Sequence, residues 1–165
     1  MRALSLVFAA AVAVASLYPL VELRPGAGNP FAFLAGGLPR WWTWFDVLSN
    51  ALAYVVLALL LALAWLPRAR PAVAFVGVAA AGALLSLMLE AAQHYLPSRV
   101  PSLLDWLANS AGAAVGAWLG ASVNRAAQRP DRVTWPVRDR WYEQGPPTGW
   151  VLLLLWLSAQ LAPQR

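Results

Sequence analysis

Residues 90–120 read EAAQHYLPSRVPSLLDWLANSAGAAVGAWLG. Glu90, Gln93, His94, Arg99, Asp105 and Asn109 crowd together here between two long apolar runs, in a 165-residue chain of which only 12% is charged. Polar groups beside bilayer-length apolar segments are costly, so they mark where a function is to be sought. Pro97 and Pro101 interrupt the helical pattern. They divide the stretch into a helix end, a short loop and a helix start.

The rest of the chain fits that picture. It is 61% hydrophobic with a mean hydropathy of +0.58, whereas a soluble domain is roughly 45–50% apolar and about 25% charged. An integral membrane protein is expected. All twelve basic residues are arginine, and the net charge of +5 gathers in a few loops. No continuous basic face is left for a nucleic acid. The absence of cysteine excludes disulfides and thiolate metal sites.

Working outward, residues 103–123 follow the loop as one apolar span and residues 72–89 precede it as another. Residues 47–66 form a span before the basic turn at Arg68 and Arg70. Residues 3–21 form a further one. That first run exceeds the usual signal-peptide core of about 7–15 residues and has a single Arg before it, so an uncleaved span is the preferred reading. Residues 22–45 are rich in Pro and Gly and end in Trp41, Trp42, Trp44 and Phe45, side chains suited to headgroup level. Within them, residues 31–38 are apolar enough to lie in the interface but too short to cross it. Residues 149–162 are apolar but fall short of the roughly 20 residues a crossing needs. They read as the start of a further transmembrane segment, with an interfacial helix as the alternative.

The expected fold is all-α: a polytopic transmembrane bundle of four spans plus a partial fifth. Residues 1–123 make the membrane domain, with its core at 46–120. Residues 124–148 make a basic cytoplasmic loop, and residues 149–165 begin a further segment. No period of repetition is visible. With four crossings, and Arg165 after the last apolar segment left aside, one side carries eight arginines and the other carries Arg24, Arg40 and Arg99. Cytoplasmic loops retain positive charge, so the N-terminus is expected inside and the 90–109 loop region outside.

Glu90, Gln93 and His94 are spaced i, i+3 and i+4, which puts them on one helix face. Glu90 or His94 could serve as a base, or the pair could mark nothing more than the span's end. Two helical ligands alone are too few to define a metal site. Arg99 sits between two prolines and is suited to bidentate capture of phosphate or carboxylate. It could equally pair with Glu90 or Asp105, or reach to lipid phosphates. Ser102 and Asp105 fit a capping box at a helix start. Asn109 lies one turn further on, where an amide in hydrocarbon needs a partner. Asp46, Asn50 and Tyr54 repeat every four residues on another span, so the polar stripes of spans two, three and four are expected to meet. Gly112, Gly116 and Gly120 repeat every four residues and suit a close helix seam.

In these residues the chain resembles the VanZ-like family of bacterial membrane proteins. The resemblance rests on Glu90, Gln93, Pro97, Arg99, Ser102, Asp105, Asn109, Gly112 and Gly116, with Asp46 and Asn50 matching an earlier element. That earlier element usually continues into a Pro and a Gly, where Val56 and Ala58 stand here. The resemblance spans roughly residues 46–120. It implies a multi-span protein of the cell envelope and bacterial cytoplasmic membrane. The family takes its name from a member associated with glycopeptide resistance, chiefly to teicoplanin, and it implies no settled reaction.

Three functions follow as expectations. The first is recognition of an anionic ligand at the outer leaflet, lipid-linked or glycopeptide-related. Arg99 would contact the anion, and Glu90, Gln93, Asp105, Asn109, Asp46 and Asn50 would shape the pocket. The second is an enzyme acting on a lipid-phosphate substrate, and the third a membrane scaffold. No cofactor is expected. The expected partners are membrane lipids and a lipid-linked envelope precursor.

Overall fold

A computed structural model describes residues 1–19, 23, 28–66 and 69–128. Among these residues the fold is helical throughout: α1 (Arg2–Leu17), α2 (Trp44–Trp65), α3 (Pro71–Gln93) and α4 (Leu103–Ala127), with one 3-10 turn at Ala32–Leu34. The boundaries follow local chemistry. α2 opens at Thr43, whose hydroxyl oxygen accepts the Asp46 N–H at 3.1 Å and donates to the Asp46 carboxylate at 2.6 Å. α4 opens in the same way, with Ser102 Oγ accepting the Asp105 N–H at 3.3 Å. Such caps satisfy amides that a helix start leaves unbonded. α3 begins on Pro71, whose fixed φ suits a first helical position.

α2 and α3, with 22 and 23 residues, are long and apolar enough to cross a membrane. At about 1.5 Å per residue each spans about 33 Å, against a hydrocarbon core of about 30 Å. α1 is apolar but ends after 16 residues, short of the run expected from residues 3–21. α4 reaches 25 residues and runs past the boundary expected at 123. Asp105, Asn109, Ser110 and Asn124 dilute its apolar character. The expected segment at 149–162 lies outside the described residues, as does most of the loop at 124–148.

The helices run up, down, up and down. α1 and α3 end where α2 and α4 begin, because Gln93 bonds to Ser16 at one end while Trp65 bonds to Ser5 at the other. The parallel pair α2 and α4 forms the most extensive contact in the bundle. Small residues make this possible: Gly112, Gly116 and Gly120 of α4 lie against Ala51, Val55, Ala58 and Ala62 of α2, beside a fully buried Leu57. Without a strong hydrophobic drive between helices in lipid, close packing of small residues supplies much of the association energy. At the far end Asn124 donates to the Ala62 and Leu66 carbonyls at 3.1 and 3.3 Å, closing the end of α2. Arg2 lies over the Trp65 ring at 5.0 Å.

A repeat does exist, although no period announces it. The Thr43, Asp46, Asn50 spacing at the start of α2 recurs as Ser102, Asp105, Asn109 at the start of α4. Both sets lie at the same end of the bundle. The helix bodies then diverge, because only α4 carries the glycine seam.

Candidate functional site

α1 ends at Leu17; the Tyr18 N–H closes on Val14 O at 2.9 Å, and the carbonyls after Val14 lie past the helical ladder. Two side chains from elsewhere take them. Gln93 Nε2 donates to Ser16 O at 3.1 Å. Arg99 Nε donates to Tyr18 O at 2.9 Å, and Arg99 Nη2 to Ala15 O at 3.1 Å and to Tyr18 O. The proline-bracketed loop thus delivers a guanidinium onto α1 across 81 positions of sequence. The ion pair weighed for Arg99 with Glu90 or Asp105 is not what these bonds form.

Glu90 is 4% exposed. Its Oε2 accepts the Ser102 N–H at 2.8 Å, which ties α3 to the start of α4. A buried carboxyl is tolerable when hydrogen bonds compensate it. Asn109, on α4, donates from Nδ2 to Ser86 Oγ at 2.9 Å, again on α3. Trp106 adds a further link between these helices through its indole N–H to Ala83 O at 3.1 Å. The Asn50 amide faces the Asp105 carboxyl.

These contacts surround a cavity of about 230 Å³. At roughly 30 Å³ per water in the liquid, it has room for about eight waters or one ligand the size of a headgroup. Asn50, Glu90, Gln93, Arg99, Asp105 and Asn109 all line it. Six of the seven residues expected to shape a pocket therefore share one. The exception is Asp46, which is exposed and folded back onto Thr43.

His94 does not line the cavity either. It ends α3, stacks edge-on with Tyr95 at 5.3 Å between ring centres, and keeps Nε2 buried without a bond. The face expected to hold Glu90, Gln93 and His94 is therefore split. Among the described residues, no three of His, Cys, Asp and Glu gather closely enough to hold a metal.

Sequence reasoning missed several wall residues. Val12, Ala15 and Ser16 of α1 line the cavity, as does Ser49 of α2. Only Ser16 of the α1 residues is polar, and the contribution of Ala15 and Ser16 is their backbone carbonyls. Tyr54, the third member of the Asp46/Asn50 stripe, lines the cavity with Asn50. Ser86, one turn before Glu90, is not a wall residue but supplies the hydroxyl that holds Asn109.

Around the same end of the bundle lie exposed aromatic and apolar groups. Trp41 is 90% exposed, and Trp44, Phe45, Leu38 and Val100 are also open. Trp42 and Trp44 stack edge to face with centres 4.9 Å apart.

A family model described as VanZ/LLP1 matches residues 4–124. That range takes in all four helices apart from their outermost residues. No curated protein and no solved structure matches the chain.

Proposed function

The chain belongs to the VanZ/LLP1 family, and from that premise we propose that it binds an anionic, lipid-linked ligand in the cavity at the outer leaflet of the bacterial cytoplasmic membrane. The observation that carries this reading is the convergence of Asn50, Glu90, Gln93, Arg99, Asp105 and Asn109 on one cavity. These residues come from three helices and a loop. They gather at one end of a bundle whose sides are apolar.

The bundle is read as multi-pass, with all four helices crossing. The N-terminus, Arg70 and Arg125 share the end opposite the cavity, and that end is cytoplasmic by its excess of arginine. The exposed tryptophans at the cavity end then sit at the outer headgroup level. Arg99 lies where an anion would enter. Its Nε and Nη2 are taken by α1, so the remaining Nη1 edge is the part available to a ligand. An envelope precursor or a glycopeptide-related molecule suits a headgroup-sized site of this kind.

Binding is favoured over turnover because, of the two bases expected singly, one is off the cavity and the other already accepts the Ser102 N–H. Glu90 faces the cavity and His94 does not. A pure scaffold would need the glycine seam but not a polar cavity.

Native mass spectrometry of the full chain released from its membrane tests the proposal. The wild-type protein is expected to retain an anionic lipid-linked adduct. Ala53→Leu, which adds bulk to a buried cavity wall, is expected to lose it. Wild-type protein without an adduct, or equal retention by Ala53→Leu, would remove the reading.

A further inference from the structure

The hydrogen-bonding groups of the cavity wall are unevenly spent. Gln93 gives its amide N–H to Ser16 O, and Asn109 gives its own to Ser86 Oγ. Arg99 gives Nε and Nη2 to the carbonyls of α1. The donors on these three side chains are thus turned largely into the protein. Beyond these bonds each amide keeps one N–H and Arg99 keeps its Nη1 edge, which the proposed function gives to the anion. The rest of the wall adds acceptors.

The acceptors are specific atoms. Asn109 is 6% exposed, and its Oδ1 has no hydrogen-bond partner. Glu90 accepts the Ser102 N–H on Oε2 and lines the cavity with its carboxyl. Asp105 lines it from the start of α4. The Tyr54 hydroxyl, on a residue 3% exposed, lies near Ser86 but has no aligned hydrogen bond to it. Two carboxyls and an unpartnered buried amide oxygen call for a ligand group rich in donors and positive in charge. A primary ammonium offers three donors and no acceptor.

We infer that the cavity takes a primary ammonium group, held by Glu90 and Asp105 with Asn109 Oδ1 as the neutral acceptor. The inference rests on the proposed binding function and sharpens it. A zwitterionic lipid headgroup would place its ammonium against the carboxyls and its phosphate outward at Arg99. The ammonium could belong to an ethanolamine lipid headgroup or to a soluble amine such as an amino sugar.

Thermal unfolding of the full chain in detergent, with added probes, separates the outcomes. The probes are phosphatidylethanolamine, phosphatidylcholine, phosphatidylglycerol, ethanolamine and glucosamine. Phosphatidylethanolamine is expected to raise the melting temperature, and phosphatidylcholine, whose trimethylated nitrogen has no N–H, is not. Glu90→Gln keeps an oxygen for the Ser102 N–H but removes the charge. It is expected to weaken that binding about tenfold, equivalent to about 1.4 kcal/mol. Asp105→Asn gives a second test should Glu90→Gln fold poorly. A shift with glucosamine or ethanolamine as large as that with the lipid assigns the ammonium to a soluble ligand. Equal shifts with phosphatidylethanolamine and phosphatidylcholine, unaffected by either variant, overturn the inference. A shift confined to phosphatidylglycerol and lost in Arg99→Lys overturns it while leaving the anion site standing. No shift with any probe removes both.

Discussion

Gly116→Ala is expected to lower the unfolding midpoint more than any other single-methyl addition to the bundle, and Gly112→Ala nearly as much. A Cβ at Gly116 would fall inside the contact distance of the Val55 carbonyl oxygen, 2.9 Å from the Val55 carbonyl carbon and 2.9 Å from the Ala58 Cβ. At Gly112 it would meet the Ala51 carbonyl oxygen in the same way, with the Ala51 carbonyl carbon at 2.9 Å and its Cα at 3.0 Å. The obstructing atoms are mainly backbone, so no rotamer change relieves them and α2 itself would have to move. Overpacking costs about 1–3 kcal/mol and occasionally more, and a backbone wall puts these two sites at about 3 kcal/mol. Gly77→Ala is the control. The nearest atom to a Cβ there is Leu66 Cδ1 at 4.0 Å, and alanine gains about 1 kcal/mol of helix propensity over glycine. Unfolding in a detergent titration ranks the three. A Gly116→Ala protein as stable as wild type would contradict the close α2–α4 approach.

Arg99→Ala is expected to destabilise the protein as well as to impair binding. It removes three hydrogen bonds from one guanidinium to the Ala15 and Tyr18 carbonyls. Hydrogen bonds to charged groups contribute about 1.5–3 kcal/mol each, but Tyr18 is exposed and water can replace part of them. The net loss is expected at about 2–3 kcal/mol. Arg99→Lys keeps the charge and loses the planar fork, so it falls between. Gln93→Ala removes one neutral bond to Ser16 and is expected to cost about 1 kcal/mol. An Arg99→Ala protein that unfolds like wild type would show that α1 does not depend on this tether. Loss of function in Arg99→Ala is therefore not by itself proof of ligand contact.

Much of this arrangement could be read from residue types alone. The prolines at 97 and 101 bracket a loop, and Ser102 with Asp105 starts α4 where a capping box predicts. The Gly112/Gly116/Gly120 spacing gives the helix seam its face. Six of the seven expected pocket residues line one cavity, because polar groups on apolar helices have few places to go but toward each other. Asp46 escaped that logic. Its place in the four-residue stripe points inward, but as the third residue of a capping box it turns back to Thr43. The role of Arg99 was not legible at all. Its partners are backbone carbonyls of α1, and carbonyls leave no mark in a sequence. The same holds for the wall contributed by Ala15 and Ser16, which look like ordinary residues of an apolar span.

The central claim is that the polar ends of these helices form a cavity open to the outside of the cell. The chain has no cysteine, so a single introduced thiol reports its own position. Ser98 is exposed and lines the cavity, while Arg125 is exposed at the opposite end of α4. A membrane-impermeant maleimide applied to cells with an intact cytoplasmic membrane and a permeable outer envelope is the direct measurement. The account predicts labelling of Ser98→Cys in such cells, and of Arg125→Cys only after the cytoplasmic membrane is opened. Ser98→Cys that stays unlabelled until the membrane is opened, with Arg125→Cys labelled before, would place the cavity inside and contradict the account.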